Sequence, residues 1–456
     1  MKRFFSLPLI LVLLSVFVKC NQAEQQTEEK TAVPKSSVEQ LEWSKNSSIY
    51  EINVRQYSEE GTFDAVREDL PRLKKMGVQI LWFMPIHPIG AKNRKGTLGS
   101  YYSVQDYKEV HPAYGTKEDF RRFVDEAHEM GFKVIIDWVA NHTAWDNPWT
   151  ENKSWYVLDE EGGFMPPRGT DWTDVIQLDY ENEEMRAAMK DALEYWVREF
   201  DIDGYRCDVA GMVPTDFWKD AIASLNEIKP VFMLAEDGEP ELLIEAFQMN
   251  YAWQYAHVIR EIAKGKQSLD DLSKLMAETK ANYPPSSYRM YFTSNHDENS
   301  WKGADTTLYG DNFQNFAVLS ATISGMPLIY NGQESGLDKQ LEFFEKDPIE
   351  WKDYKYQDFY TSLVRLKGQE PALWNGDFGG ELEILEMPEG MYAYKRVKGN
   401  SEVVVALNFN SKAGMYPVKL STLGVDESYT VYNSRNMMVT SEEVNLNANE
   451  WIIFVK

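Results

Sequence analysis

A decapeptide near the middle of the chain combines charged residues with the pattern of a short buried strand. Residues 201–210 read Asp-Ile-Asp-Gly-Tyr-Arg-Cys-Asp-Val-Ala, which places Arg206 and Asp208 two positions apart. Side chains two apart in a strand point to the same face, so we expect this guanidinium and this carboxylate to lie side by side. The cation favours an ionised carboxylate. The pair suits a carboxylate nucleophile, although a structural ion pair at a strand end has the same pattern.

Three further apolar segments end in polar residues of the same kind. They supply Asp137 with Asn141 and His142, then Glu236, then His296 and Asp297. Four carboxylates with Arg and His, and no arrangement typical of a Ser or Cys nucleophile, indicate carboxylate chemistry. Glycoside hydrolysis uses two such groups, one to protonate the leaving oxygen and one to attack or to activate water. Crowding favours an ionised Asp208 beside Arg206 and a protonated Glu236.

Strand and helix patterns alternate over about 320 residues, and this alternation must position those polar residues. Predicted strands cover 49–57, 78–86, 132–139, 201–210, 231–235, about 250–258, 289–293 and 327–330. Predicted helices lie near residues 70–76 and 116–131, over 181–200, after Pro214, near Glu239, from about 269, over 312–324 and over 354–367. About eight βα units predict an α/β fold, a closed (β/α)8 TIM barrel, with its site at the carboxyl ends of the strands.

Two regions depart from the alternation. Residues 141–178 are rich in Trp, Asp, Pro and Gly without a clear period, which is typical of a functional loop or short inserted domain. After about residue 376 the pattern becomes short alternating runs, which predicts a C-terminal antiparallel β-sandwich. We therefore predict a catalytic barrel over 46–375 and a sandwich over 376–456.

The first 45 residues indicate export and tethering. Met1-Lys2-Arg3 precedes an apolar run that is short for a membrane span and ends at Lys19-Cys20, as in a signal peptide. Cys20 resembles the lipid-modified cysteine of bacterial lipoproteins, although Lys19 replaces the usual small residue; an ordinary signal peptide or an uncleaved anchor is the alternative. Residues 21–45 read as a polar tether. We expect an exported lipoprotein on the periplasmic or cell-surface face.

Charge and cysteine content exclude some classes. The formal net charge of −25 argues against nucleic acid as a partner, because phosphates are repelled. With only two cysteines in the chain, and Cys20 expected to carry lipid, we expect no disulfide. Alternation places Cys207 on the opposite face from Asp208, in the core.

Four segments together resemble a known enzyme family. Asp137-Trp-Val-Ala-Asn-His-Thr143, Gly204-Tyr-Arg-Cys-Asp208, Leu234-Ala-Glu236 and Phe292-Thr-Ser-Asn-His-Asp297 resemble, in order, the conserved segments of the α-amylase family, glycoside hydrolase family 13. Residues 100–107 and 325–334 are also similar to that family. The resemblance covers about residues 49–456.

The resemblance implies roles for the matched residues. Asp208 corresponds to the nucleophile and Glu236 to the general acid and base, while Asp297 holds hydroxyls of the distorted sugar. The remaining matches are Arg206, which orients the nucleophile, His142 and His296, which hydrogen-bond the sugar, Tyr102, which stacks beneath it, and Asp137, a structural support. Family members often hold calcium, and Asn141 and Asp179 match two ligand positions with hard oxygen donors. Gly211-Met212 replaces a Lys-His pair common in amylases, which weakens the match at the metal and at a leaving-side sugar contact.

The resemblance implies a retaining hydrolase of α-1,4-glucosidic bonds in starch-like α-glucans or maltooligosaccharides, and we expect no organic cofactor. A 4-α-glucanotransferase or related transglycosylase would use the same covalent intermediate. A non-catalytic surface glucan-binding protein is the alternative from another class. It predicts the loss of Asp208, Glu236 or Asp297, and all three are present.

Overall fold

The computed structural model describes residues 33–435, 439–440 and 442–456. The predicted signal peptide, Cys20 and most of the predicted tether lie outside the described residues. Within the described ranges, no helix has the length and apolar character needed to cross a membrane.

Eight parallel strands close into a barrel, which confirms the predicted fold. They are β1 (Ile49–Ile52), β2 (Ile80–Phe83), β3 (Lys133–Trp138), β4 (Gly204–Cys207), β5 (Phe232–Ala235), β6 (Met249–Tyr251), β7 (Tyr288–Tyr291) and β8 (Met326–Tyr330). Each strand pairs with the next along the chain, and β8 pairs with β1. In this register Asp137 of β3 lies opposite Arg206 of β4, and Cys207 lies opposite Ala235 of β5. The register therefore brings the ends of β3, β4 and β5 to one level.

Helices surround the barrel and extend beyond it. They are Val54–Tyr57, Phe63–Arg67, Leu70–Met76, Lys117–Glu129, Glu183–Phe200, Thr215–Ile228, Glu241–Glu245, Trp253–Ala263, Leu269–Asn282, His296–Lys302, Asp305–Tyr309, Phe313–Thr322, Gln357–Gln369 and Leu420–Leu423. The capping box expected at Thr116 is confirmed, because the side chains of Thr116 and Asp119 cap each other's backbone. The glycine-terminated helix before Gly77 is also confirmed.

The predicted strands 49–57, 78–86, 201–210 and 250–258 were too long, and the first and last of these extend into segments that form α-helices. The first ends at Ile52 because the Asn53 side chain accepts a hydrogen bond from the Gln56 backbone and starts a helical turn. The strand expected over about 250–258 is also wrong beyond its start. Only Met249–Tyr251 is extended, and the helix from Trp253 buries Tyr255, Ala256 and Ile259, an apolar spacing that fits a helix.

Side-chain alternation separates two packed layers. The barrel interior is filled by residues such as Trp82, Ile135 and Leu234, whereas Cys207 belongs to the layer between strands and helices. The prediction for Cys207 is confirmed, since this side chain is fully buried on the helix side. Arg206 and Asp208, on alternate positions, face inward.

The insertion and the C-terminal region complete the chain. Within the insertion, His142–Ala144 pairs antiparallel with Val175–Gln177. The C-terminal strands are β9 (Glu381–Leu385), β10 (Met391–Lys398), β11 (Ser401–Asn408), β12 (Met415–Lys419), β13 (Thr430–Asn433), β14 (Glu443–Asn447) and β15 (Trp451–Val455). They form a five-stranded sheet, in the order β9-β10-β11-β15-β13, and a two-stranded sheet of β12 and β14. Apolar residues of both sheets pack together.

Candidate active site

One buried guanidinium lies at the centre of the polar groups on the strand ends. Nη1 of Arg206 donates to Oδ1 of Asp137 at 2.9 Å and to Oδ1 of Asp208 at 3.1 Å. Nη2 lies 2.9 Å from Oε1 of Glu236, outside hydrogen-bond alignment, and Nε donates to the Tyr251 hydroxyl at 3.0 Å. Arg206 is fully buried. The side-by-side placement predicted for Arg206 and Asp208 is therefore confirmed, and the same cation also serves two further carboxylates.

The pKa of Asp208 is shifted in the direction opposite to our expectation. Burial raises the pKa of Asp208 well above its usual range, the negative charge of Glu236 raises it further, and Arg206 opposes both effects. We expected Arg206 to keep Asp208 ionised; its charge does act in that direction, but burial and Glu236 outweigh it. The reason is that one guanidinium is shared among Asp137, Asp208 and Glu236, so its charge offsets only part of the burial and repulsion.

Asp208 and Glu236 approach the cleft from neighbouring strand ends. The backbone N–H of Asp208 donates to the Trp138 carbonyl at 2.9 Å, and that of Glu236 donates to the Cys207 carbonyl at 2.9 Å. Oε2 of Glu236 accepts from the backbone of Val209 at 2.8 Å. Val209 has a left-handed φ of 37°, which is strained for a β-branched residue and costs about 1–3 kcal/mol. Both carboxyl groups keep a solvent-facing edge, with side chains 9% and 12% exposed.

A second network holds His296. Its Nδ1 lies 2.5 Å from Oε1 of Glu51 on β1, and its Nε2 lies 2.7 Å from the Tyr102 hydroxyl. That hydroxyl also donates to Oδ2 of Asp137 at 3.2 Å. Burial opposes the imidazolium, but Asp297 and Glu51 raise the pKa of His296 to about 9. His296 is therefore charged at neutral pH, with both ring nitrogens donating.

Asp297 and His142 occupy different environments. Asp297 follows His296 at the start of a short helix, and its side chain is 33% exposed with Oδ2 3.4 Å from Nε2 of His296. His142 is buried, and burial lowers the pKa of this ring to about 3, so it is neutral. Burial also raises the pKa of Asp137 to about 6, against the opposing charge of Arg206. The charged imidazole and the exposed carboxylate can both contact a polar ligand.

The predicted catalytic carboxylates Asp208, Glu236 and Asp297 line a cleft of about 510 Å³. Its wall combines the expected residues Tyr102, His142, Asp208, Glu236, His296 and Asp297 with the unexpected residues Lys95, Asp171, Trp172, Asp174, Trp301, Phe343 and Phe344. A volume of this size, with aromatic walls and a few polar groups, is typical of a small-molecule or oligosaccharide site. The structure thus brings the predicted catalytic and sugar-binding residues to one place.

The sequence did not predict several residues that support the site. Glu51 pairs with His296, Tyr251 accepts from Arg206, and the rings of Trp82 and Tyr251 lie 5.3 and 5.5 Å from the guanidinium. A charged residue in the otherwise apolar segment 49–52 is a signal that could have identified Glu51. The aromatic residues carry no such signal, because their partners come from distant parts of the chain.

Asn141 and Asp179, the predicted calcium ligands, make hydrogen bonds to neighbouring residues. The Asn141 side-chain nitrogen lies 3.2 Å from Nδ1 of His142, and Oδ1 of Asp179 accepts from the Glu181 backbone at 3.0 Å. Among the described residues, no three Asp, Glu, His or Cys side chains converge as a metal site. Calcium binding stays a prediction from the resemblance.

Comparison with known proteins identifies the family. The profile of the alpha-amylase catalytic domain matches residues 26–173 and 170–229. An alpha-amylase from Lactobacillus plantarum is 30% identical, with a TM-score of 0.78 over 90% of this chain and 99% of that chain. A noncanonic maltogenic alpha-amylase, AmyB from Thermotoga neapolitana, is 32% identical, with a TM-score of 0.76 over 90% and 98%.

A relative matched by sequence is longer than this chain. Alpha-amylase MalA of Haloarcula japonica is 26% identical over 84% of this chain, and the match spans 58% of its length. The two solved structures are matched along nearly their whole length at 30% identity or more. Together with the barrel and the convergence of the four conserved segments on one cleft, these matches show that the chain belongs to the α-amylase family, glycoside hydrolase family 13.

Proposed function

We propose that the protein hydrolyses α-1,4-glucosidic bonds of maltooligosaccharides or starch-like α-glucans, with retention of configuration. The observation that carries the proposal is the pair Asp208 and Glu236, held on neighbouring strand ends by one buried guanidinium and open to one cleft. Retaining glycosidases use two carboxyl groups set close together. The names of the two similar solved structures, an alpha-amylase and a maltogenic alpha-amylase, support the substrate class.

The first step forms a covalent intermediate. Asp208 attacks C1 of the sugar while the C1–O bond breaks, and Glu236 gives its proton to the departing oxygen. This step requires an ionised Asp208 and a protonated Glu236. Burial and the neighbouring Glu236 raise the pKa of Asp208, and the hydrogen bond from Arg206 Nη1 to Asp208 favours the charge on the nucleophile.

The second step releases the sugar. Glu236, now ionised, takes a proton from water, and the oxygen of that water attacks C1 and displaces Asp208. If a sugar hydroxyl replaced water, the same chemistry would lengthen a glucan chain. Hydrolysis and transglycosylation therefore share every residue of the first step and differ only in the acceptor.

Neighbouring groups position the sugar ring. His296 is charged and buried beside Tyr102, so its Nε2–H can donate to a sugar hydroxyl in place of the Tyr102 hydroxyl. Asp297 presents an exposed carboxylate that accepts from hydroxyls, and the ring of Tyr102 offers an apolar face. Contacts of this kind that strengthen as the ring distorts stabilise the oxocarbenium-like transition state.

We also propose export and lipid attachment at Cys20, on the sequence of residues 1–20 alone. Radiolabelled palmitate should enter the full-length protein in a bacterial host. A Cys20→Ser variant should lose the label, and equal labelling of both proteins would contradict the proposal.

Proton NMR of fresh products from maltoheptaose tests the reaction. We expect α-configured products from the wild type, and a loss of kcat of at least about 1,000-fold in both Asp208→Asn and Glu236→Gln, as when a nucleophile or its proton donor is removed. Asp220→Asn changes an exposed ion pair with Lys190 and should behave as wild type. Products longer than the substrate would indicate a transferase, and starch binding without turnover would indicate a binding protein.

A further inference from the structure

Three loops join into a wall along one side of the cleft. They are residues 91–99 after β2, residues 171–174 of the insertion, and residues 339–345 after β8. Each loop contributes at least one side chain to the cleft lining: Lys95, Asp171, Trp172, Asp174, Phe343 and Phe344. The contacts between the loops show how far the wall is closed.

Lys95 ties the first loop to the insertion. Its Nζ donates to the Asp171 carbonyl at 3.0 Å and lies 3.2 Å from Oδ1 of Asp174. Asp174 is buried, so this ion pair is shielded from water better than a surface pair. Lys95 therefore bridges the mouth of the cleft between two segments that are about 80 residues apart in sequence.

The same loop is joined to the segment after β8. The backbone N–H of Leu98 donates to the Phe344 carbonyl at 3.0 Å, and that of Thr97 donates to Glu345 Oε1 at 2.7 Å. Gly96 has a left-handed φ of 63°, and a Cβ at this position would lie 2.5 Å from Cβ of Phe344. Only glycine allows this approach, so the two loops are in direct contact.

Arg55 joins the loop 91–99 to the loop 339–345. Its Nη1 donates at 3.1 Å to the carbonyls of both Gly99 and Phe343. Arg55 is itself buried, with its guanidinium over the Tyr101 ring. A buried cation that serves both loops fixes their relative position, because separating them would leave its charge and the two carbonyls unpaired.

Aromatic rings cover the inner face of this wall. Phe343 lies parallel to Tyr102, with 8° between the planes and 6.4 Å between centroids. Trp301 packs on Phe343 with centroids 5.2 Å apart, and its side chain is 55% exposed at the rim. The wall therefore stands on the side of Tyr102, whose ring is expected to lie beneath the cleaved sugar.

The side of Glu236 is built differently. The residues after Asp208 on that side include Gly211, without a side chain, and Met212, which is 40% exposed. A Cβ on Gly211 would lie 2.1 Å from Oδ2 of Asp237, so the Asp237 carboxylate packs directly on the Gly211 backbone. The three tied loops thus stand at the Tyr102 side of the cleft, and the exposed Met212 lies at the side of the general acid.

We propose that the enzyme binds glucan chains by their non-reducing end and removes short products from that end. This inference rests on the proposed function, in which Glu236 protonates the leaving oxygen. The leaving part of the chain must then lie beside Glu236. The part of the glucan that stays on Asp208 includes the non-reducing end and faces the wall. The wall leaves room for a chain end but not for further glucose units beyond it.

A blocked substrate tests this. Maltoheptaose is compared with maltoheptaose whose non-reducing glucose carries a 4,6-benzylidene group, with products analysed by chromatography and mass spectrometry. We expect the blocked chain to be cleaved at least about tenfold more slowly, since the wall excludes the added group. Equal rates would overturn the inference. If neither chain is cleaved, and 4-nitrophenyl maltoside is not cleaved either, the hydrolase itself is refuted and the inference falls with it.

A wall-opening variant makes the test specific. Lys95→Ala with Phe344→Ala removes the tie to the insertion and one ring, and leaves Phe343 on Tyr102. In a variant with a normal thermal unfolding transition, the ratio of blocked to free rates should rise at least about tenfold. Lys190→Ala, which breaks a surface ion pair on the helix Glu183–Phe200, should keep the wild-type ratio. An unchanged ratio in the folded double variant would contradict the role of the wall.

Discussion

Oε1 of Glu51 and Nδ1 of His296 lie 2.5 Å apart, although 245 positions separate the two residues in the chain. Glu51 is on β1 and His296 follows β7, so closure of the barrel is what brings them together. Oε2 of Glu51 has no hydrogen-bond partner within the described protein. Burial raises the pKa of Glu51 and the His296 charge opposes it. The contact is therefore an ion pair, and its main consequence is a proton kept on His296.

We predict that activity is lost on the alkaline side at a lower pH in Glu51→Gln than in the wild type. His296 has its pKa raised to about 9, so the imidazolium is present below about pH 9 and is lost as the pH rises through that value. Removing the buried carboxylate lowers that pKa, because burial then has less opposition. At pH 8, kcat/KM should fall by about tenfold to a hundredfold, the range for loss of a hydrogen bond to a charged group.

The measurement is kcat/KM of maltoheptaose hydrolysis from pH 5 to 10. Glu126→Gln is the matched control, because Glu126 is a partly exposed partner of Arg67 on an outer helix. Its profile should overlay that of the wild type. An alkaline limb at the same pH in Glu51→Gln and wild type would show that Glu51 does not set the charge of His296.

We predict an acid limb at higher pH than an ordinary aspartate would give. The pKa of Asp208 is raised by burial and by Glu236. Exposed aspartates titrate near about pH 4. As the pH falls, Asp208 therefore takes up a proton and stops acting as a nucleophile at a higher pH than an exposed aspartate would. The profile of kcat/KM for the free enzyme reports this loss. Full activity down to the range of an exposed aspartate would contradict the assignment.

Residue patterns predicted much of this site because local rules decide it. Alternation in a strand put Arg206 beside Asp208 and turned Cys207 toward the helices. Eight βα units predicted the barrel, and the barrel places strand ends together at one face. Asp137, Glu236 and Asp297 were found for the same reason.

The remaining residues depend on contacts that local patterns do not encode. Phe343 follows the last barrel strand by 13 positions, and only the folded loops place its ring parallel to Tyr102. The length of β6 was misjudged because Tyr255, Ala256 and Ile259 are apolar enough for a strand, and their helical spacing decided the outcome. The direction of the pKa shift of Asp208 also required the structure, because it depends on burial and on how many carboxylates share Arg206.

We predict that Arg206→Lys fails as a conservative change. A lysine is a single point charge with no fork of donors, so it cannot contact Asp137, Asp208 and Tyr251 together. We expect kcat/KM to fall by about a hundredfold or more, with the acid limb moving to higher pH because Asp208 loses part of its opposing charge. Arg198→Lys, on the outer helix and half-exposed, is the control. Wild-type kinetics in Arg206→Lys would show that one positive charge suffices.

A last prediction concerns the junction of the barrel and the C-terminal sheets. Arg396 of β10 is buried, and its guanidinium donates to the carbonyls of Thr322, Ile323, Leu373, Trp374 and Gly380. Burial lowers the pKa of Arg396 to about 10, and the carbonyl oxygens around it stabilise its positive charge. Arg396→Met keeps most of the side-chain volume but removes these hydrogen bonds. The Leu373 carbonyl keeps Lys367 as a donor, and each buried acceptor that is left unpaired costs about 1–3 kcal/mol.

We therefore expect Arg396→Met to reduce the free energy of unfolding in urea by about 3 kcal/mol or more, since several acceptors lose their donor at once. Arg198→Met removes an arginine from the surface and should change it by less than about 0.5 kcal/mol. If the two variants unfold alike, water must replace the guanidinium at those carbonyls, and the junction would not depend on Arg396. If only Arg396→Met is weakened while its kcat/KM at low temperature is unchanged, the residue joins the two regions without taking part in the chemistry.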